Sequence, residues 1–320
     1  LLSGLDGVEL IVHDKRQGPL ALRRQLAGRQ FDLLMLMQWS LRAGLTASVI
    51  KAPVRLGYDR ARSKDLHGLF INQRIADIGP GHVVDGFFGF TEALGIPGRV
   101  ARWDIPIPED AEVQADALME SDRRTLIISP CSSRSVRNWN IPGYAAVARH
   151  AFEKYDMQVL VTGGRDATDQ QYASAITDQL KGFVPVQNLA GRTGLKTLLA
   201  LMKRAEVVVA PDSGPMHMAM AAGTPAIGLF AETNPDRAAP ILCRQWVVNA
   251  YPQAVRKAFD SEVSEVRWGR RIGQPWAMNL IAVEEVIERF DELMTTPVSD
   301  RLMSGLERHH RTPFMPEQFQ

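Results

Sequence analysis

Short apolar blocks recur along the chain, and between them apolar residues return at helical spacing with polar ones on the opposite side. The blocks predict strands at Val8–Val12, Leu33–Leu36, Val54–Gly57, Thr125–Ser129, Gln158–Thr162, Val207–Ala210, Ala226–Phe230 and Trp246–Asn249. Helical periodicity is clearest over Gly18–Ala27, Leu41–Ile50, His82–Leu94, Gly143–Lys154, Asp166–Gln179, Leu195–Lys203, Gly214–Ala222 and Ala282–Met294. Strand and helix in alternation is the pattern of βα units wrapped around parallel sheets, so the expected class is α/β.

The texture changes between Gly95 and Arg124, where Pro97, Pro106 and Pro108 are followed by charges, and this stretch reads as an interdomain connection. A chain of 320 residues with 45% apolar composition buries a large core, and its length favours two domains. After Pro297 the sequence is polar and carries Pro, His309 and His310, which reads as a poorly ordered tail. No repeat of 20 to 50 residues and no low-complexity tract is present.

Charge adds a local signal to a neutral whole. The 37 basic and 36 acidic residues nearly cancel, so nothing global points to nucleic acid. From Lys15 to Arg74, however, twelve bases stand against Asp32, Asp59 and Asp65. Either their compensating acids lie elsewhere on a solvated face, or the window attracts an anionic substrate or membrane surface. Cys131 and Cys243 are too few for a disulfide framework and too far apart for a metal clip, which suits a reducing cytoplasm. No apolar stretch reaches the roughly 20 residues of a membrane span, so membrane association is expected to be peripheral.

Candidate chemistry clusters where strands end. Behind Val207–Val209 comes Ala210-Pro211-Asp212-Ser213-Gly214-Pro215-Met216-His217, an acid, a hydroxyl and a glycine where a strand turns into a helix. The first turn of that helix leaves N–H groups unpaired at the positive end of its dipole, which suits a phosphate. Asp212 and Ser213 serve either as plain helix caps or as ligand contacts, Pro215 fits the helix start, and His217 falls one turn on. No other His, Cys or Asp stands at metal-binding spacing from His217. After the next candidate strand end, Ser132, Ser133 and Ser135 interleave with Arg134 and Arg137, a set of donors and charge suited to a diphosphate. Gly163-Gly164 ends another strand before Asp166 and Asp169, as a tight turn or as the floor of a nucleoside site; the GxGxxG fingerprint is missing. A fourth loop, Gly191-Arg192-Thr193, adds backbone donors.

Together these motifs resemble glycosyltransferase family nine, the ADP-heptose:lipopolysaccharide heptosyltransferases. The resemblance rests on Asp212-Ser213-Gly214-Pro215-Met216-His217 with Gly223-Thr224-Pro225, on Ser132–Trp139, on Thr162-Gly163-Gly164 and on Leu189–Thr193. It extends to Phe31–Leu34, Arg55–Arg60 and His82–Asp85, and covers about residues 1–295. It implies a GT-B architecture of two Rossmann-like domains facing a central cleft. In that frame residues 1–118 hold the acceptor, 119–279 hold the nucleotide sugar, 280–296 pack back on the first domain, and 297–320 form a flexible tail.

The implied reaction is inverting transfer of a heptose from ADP-heptose to the Kdo or heptose of the lipopolysaccharide inner core, with no metal or cofactor. It would run in the cytoplasm or peripherally at the inner face of its membrane. Matching positions make Ser132, Ser133 and Arg137 donor contacts, Asp212 a heptose contact, and Ser213, Gly214 and His217 the diphosphate lining. Pro215, Gly163, Gly164, Asp169, Gly191 and Thr193 complete the expected donor wall. Arg137 stands where the family often has Lys, which keeps the charge and changes the geometry. The family's first strand and its glycine loop with the Asp base are expected upstream of Leu1, which predicts weak donor binding and poor turnover for this chain. Rival readings are a GT-B transferase of another sugar, a nucleotide-sugar epimerase, and a non-catalytic nucleotide-sugar-binding protein.

Overall fold

The computed structural model describes residues 1–303 apart from Asp65 and Ser121. Among the described residues two compact units result, one formed by Gly7–Val100 and the other by Leu1–Asp6 with 101–303.

The smaller unit carries a parallel sheet of β1 (Leu33–Leu36), β2 (Val54–Gly57) and β3 (Gln73–Arg74), in that order, with α1 (Gly18–Gln25), α2 (Leu41–Ser48) and α3 (Val83–Ala93). Its core is aromatic. Tyr58 meets Phe90 at 5.1 Å and Trp39 at 5.2 Å, both edge-on, and Leu56 and Ile75 close around them. Two polar devices fix the ends of these elements. The Arg55 guanidinium donates to the carbonyls of Phe70, Ile50 and Ala47, which ties the end of α2 to the sheet. A reciprocal cap between His82 and Asp85 starts α3. Residues 8–12, expected as a strand, make no ladder; their backbone lies along α1, where Gln25 donates to the Val12 carbonyl and Arg29 pairs with Glu9.

The larger unit is built on a parallel sheet of β4 (Thr125–Ile128), β5 (Gln158–Val161), β6 (Val186–Asn188), β7 (Val207–Pro211), β8 (Ala226–Phe230) and β9 (Val248–Asn249). β4, β5, β7 and β8 are buried along their whole length, as expected of a sheet covered on both faces. The helices are α4 (Glu109–Leu118), α5 (Ile141–Tyr155), α6 (Ala167–Leu180), α7 (Leu195–Arg204), α8 (Gly214–Ala221), α9 (Pro235–Ala238), α10 (Tyr251–Phe259) and α11 (Val283–Thr295).

Three expectations change. The stretch read as a connection contains α4, whose Glu112 and Asp116 pair with Arg204 of α7, so the units divide at Val100 and Ala101 rather than near 118. α11, within the stretch 280–296, packs on α5 of its own unit: Asp291 accepts from His150 (2.6 Å), Lys154 (2.8 Å) and Tyr155 (2.8 Å). Residues 297–303 of the expected tail are fixed, because buried Arg301 donates to the carbonyls of Thr296 and Met294 and pairs with Glu206; residues 304–320 lie outside the described residues.

Candidate functional site

Strand order in the larger sheet, β6-β5-β4-β7-β8-β9, locates the site. The chain travels outward from β4 through β5 to β6, then returns to the other side of β4 and travels outward through β7 and β8 to β9. The direction therefore switches between β4 and β7, and ligands of open α/β sheets bind beyond the carboxyl ends of the strands at such a point.

Two loops flank the switch. In the one after β4, the Ser132 N–H donates to Asn138 Oδ1 at 2.8 Å, folding the segment into a compact turn. Trp139 anchors it: the indole is fully buried, lies edge-on to Tyr144 at 5.2 Å and donates to the Ile281 carbonyl at 3.2 Å. Ser133 is exposed on the same turn. In the loop after β7, Asp212 and Ser213 lead into α8, with Pro215 in its first turn. Ser213 has the N-cap position and extended backbone, yet its hydroxyl makes no cap bond and is buried without a partner among the described residues. A plain helix cap does not account for it. A Cβ at Gly214 would meet nothing within 4 Å, so packing does not require this glycine; it leaves open the space over the first turn of α8.

Arg137 spans the switch. Its Nη1 lies 3.2 Å from Asp212 Oδ2 and 3.2 Å from the Asp212 carbonyl, while Nε faces Glu232 Oε2, beyond the end of β8, at 3.4 Å. Asp212 Oδ2 also accepts from the Thr233 hydroxyl at 2.8 Å. Nη2 of Arg137 is left with no partner among the described residues. Arg271 is brought to the same place because Ile272 N–H donates to the Glu232 carbonyl and Tyr251 donates to the Arg270 carbonyl. Burial first, then the charges of Arg137 and Arg134, push the Arg271 guanidinium below its usual range, with Arg237 adding to the push and Glu232 opposing it. A guanidinium stays charged through such shifts, so the site concentrates positive charge. Burial also lowers the pKa of His217, against the pull of the Asp212 carboxylate, which keeps the ring neutral near pH 7 and leaves it one N–H to donate.

The remaining residues singled out from sequence form a second group, two and three strands away from β7, beyond β5 and β6. Here Gly191 N–H donates to the Gly163 carbonyl at 2.9 Å and Gln170 donates to the Gly164 carbonyl at 3.1 Å. Asp169 accepts from Gly164 N–H, so its carboxylate holds the turn together. Gly191 has φ of +71°, and the glycine is required by the backbone there. Thr193 stands half-buried just before α7. Cys131, buried in the loop after β4, has its thiol pushed strongly upward, first by burial and then by Asp169.

Sequence reasoning missed Glu232, Thr233, Arg237 and Arg271. A signal for the first two was available: Glu232-Thr233-Asn234-Pro235 after β8 repeats the acid, hydroxyl, spacer, Pro order of Asp212-Ser213-Gly214-Pro215 after β7. Arg271 carried none, since it arrives from a distant loop. Among the described residues no group of three or more His, Cys, Asp or Glu side chains gathers to hold a metal.

Comparison with known proteins identifies the family. The family model described as glycosyltransferase family 9 (heptosyltransferase) matches residues 19–267. A lipopolysaccharide core heptosyltransferase, OpsX, of Haemophilus influenzae is 38% identical over 296 residues, spanning 92% of this chain and 84% of that protein. Among solved structures, a glycosyl transferase family 9 protein of Veillonella parvula shares the fold with a TM-score of 0.67 at 20% identity, covering 89% of this chain and 80% of that one. The E. coli heptosyltransferase WaaC with ADP gives 0.63 at 16% identity, covering 86% and 76%. The two parallel-sheet units are thus those of an α/β glycosyltransferase of the GT-B type. The chain belongs to glycosyltransferase family 9, the heptosyltransferases.

Proposed function

We propose that this chain transfers a heptose from ADP-heptose to the inner core of lipopolysaccharide, and that the loops after β4, β7 and β8 hold the donor. The observation that carries this reading is Arg137, pinned at the switch point by Asp212 and Glu232 with Nη2 unspent, where Asp212 leads into the open first turn of α8. That arrangement offers a fixed guanidinium edge and helix N–H groups to one diphosphate. The 38% identical relative, named a lipopolysaccharide core heptosyltransferase, supports the sugar and the acceptor.

In the transfer, an acceptor hydroxyl attacks the anomeric carbon from the face opposite the diphosphate and gives up its proton to a general base or to water, while the bond to the diphosphate oxygen breaks and ADP departs with the electron pair. Negative charge grows on that oxygen. In this reading Arg137, His217 as a donor and the α8 amides meet it, and such preorganised electrostatics is usually the largest catalytic term. Asp212 and Glu232 are both engaged with Arg137, so neither is assigned the role of proton acceptor.

The donor-contact set comprises Ser132, Ser133, Arg137, Asp212, Ser213, Gly214, Pro215 and His217, with the Gly163, Gly164, Asp169, Gly191 and Thr193 turns bordering it on the β5 side. We assign the acceptor to the smaller unit. Because a lipopolysaccharide acceptor is anchored in a membrane and a nucleotide sugar is a cytoplasmic metabolite, the reaction places the chain at the cytoplasmic face, bound peripherally. The test is incubation with ADP-heptose and a core lipid lacking heptose, read by mass spectrometry. Gain of one heptose on the lipid is expected. Isomerisation of the nucleotide sugar without acceptor, or transfer only from a uridine donor, would overturn the reading.

A further inference from the structure

The loop after β8 holds a carboxylate that neither the fold nor helix capping requires. Glu232 is fully buried, with one oxygen facing Arg137 and the other, Oε1, partnerless among the described residues. Burying a carboxylate with an unmade hydrogen bond destabilises a protein, and a hydrophobic residue of similar size would serve stability as well or better. The position therefore asks for a role in the site.

The guanidinium supplies one. Arg carries donors on three nitrogens in a rigid plane, so two anchors on different nitrogens fix the direction of the third. Asp212 takes Nη1 and Glu232 takes Nε, from the loops after the neighbouring strands β7 and β8. Thr233, the neighbour of Glu232, locks Asp212 through the same oxygen that Arg137 uses. Asp212, Glu232 and Thr233 thus form one frame around one side chain, and what the frame leaves unspent is the Nη2 edge. A lysine at position 137 would have no Nε and no plane to orient, so Glu232 could pair with its charge but could not fix the direction of a remaining donor.

We propose that Glu232 is a positioning residue for the transfer reaction, clamping Arg137 so that its Nη2 edge is presented to the donor diphosphate. This rests on the donor assignment made above. It also predicts a sign. A carboxylate acting only through its charge would repel the diphosphate, and removing it would tighten binding; a clamp predicts the reverse.

The experiment is a double-mutant cycle in ADP affinity, measured by calorimetry on the wild type, Glu232→Ala, Arg137→Lys and the double variant, with thermal unfolding of each as a control. Glu232→Ala is expected to weaken ADP about tenfold, the scale of one charge-assisted hydrogen bond, while in the Arg137→Lys background the same change moves the affinity by less than about twofold. Glu232→Gln, which keeps an acceptor oxygen, is expected to recover part of the loss, and in turnover the donor KM is expected to rise with little change in the acceptor KM. Equal fold-losses in the two backgrounds, or tighter ADP binding by Glu232→Ala, would overturn the clamp while leaving the donor site standing. Failure of the wild type itself to bind ADP would overturn the donor assignment and the clamp with it.

Discussion

Arginines at the strand ends of the two units are spent differently. In the smaller unit, Arg55 gives its donors to three carbonyls, Arg62 pairs with buried Asp59 and the Gly79 carbonyl, and Arg74 donates to the Tyr58 carbonyl and the Ser63 hydroxyl. In the larger unit, Arg137 is held as firmly but by carboxylates, and it keeps one edge unspent, with Arg134, Arg237 and Arg271 in the same field. Both sets look alike as a count of bases. The difference lies in the partners: Arg55 gives all three nitrogens to backbone carbonyls, whereas Arg137 is held by two carboxylates at the strand ends and keeps Nη2 for a ligand.

The widest separation between the units should appear in stability. Trp139→Ala removes a fully buried indole with its hydrogen bond and is expected to destabilise the larger unit by about 3–5 kcal/mol, read by denaturant unfolding. Next comes Arg137→Ala, expected to weaken ADP by roughly tenfold to a hundredfold and, because it strands the buried Glu232 carboxylate, to lower the unfolding midpoint as well. Arg55→Ala separates the two readouts: about 2 kcal/mol of stability lost from the smaller unit and unchanged ADP affinity.

The smallest effect is in pH. Burial, and then Arg74, lower the pKa of His67, whose Nε2 accepts from the Tyr58 N–H at 3.1 Å. A histidine with a folded pKa below its unfolded value of about 6.5 favours the neutral form, so its contribution is complete above that pH and declines as pH falls below it. Acid titration of stability should therefore slope downward below about pH 6.5, and the slope should flatten in His67→Gln. An unchanged slope would remove His67 from the account.

Much of the fold was legible because parallel strands read as short apolar runs: Leu33–Leu36 and Ala226–Phe230 appear at the expected limits, and so does Val54–Gly57 although Arg55 interrupts it. The misses have physical causes. β3 is two residues long and β6 three, too short for a period to register, and α4 hides behind prolines that precede it and acids that suit its first turn. Residues 8–12 alternate like a strand, but a strand exists only where a neighbour completes its ladder. In the site, Asp212, Ser213 and Arg137 were visible as strand-end chemistry, whereas Arg271 depends on a tertiary contact. The basic window shows the limit most clearly, since sequence offered a solvated face or an anion surface, and Arg55, Arg62 and Arg74 turn out to bind the protein's own backbone.

The central claim is that the loops at the β4–β7 switch hold the donor diphosphate, and calorimetric titration of ADP into the wild type, Arg137→Ala and Arg55→Ala tests it directly. The account predicts wild-type affinity for Arg55→Ala and a loss of at least about tenfold for Arg137→Ala. Loss in Arg55→Ala with affinity retained in Arg137→Ala would contradict it.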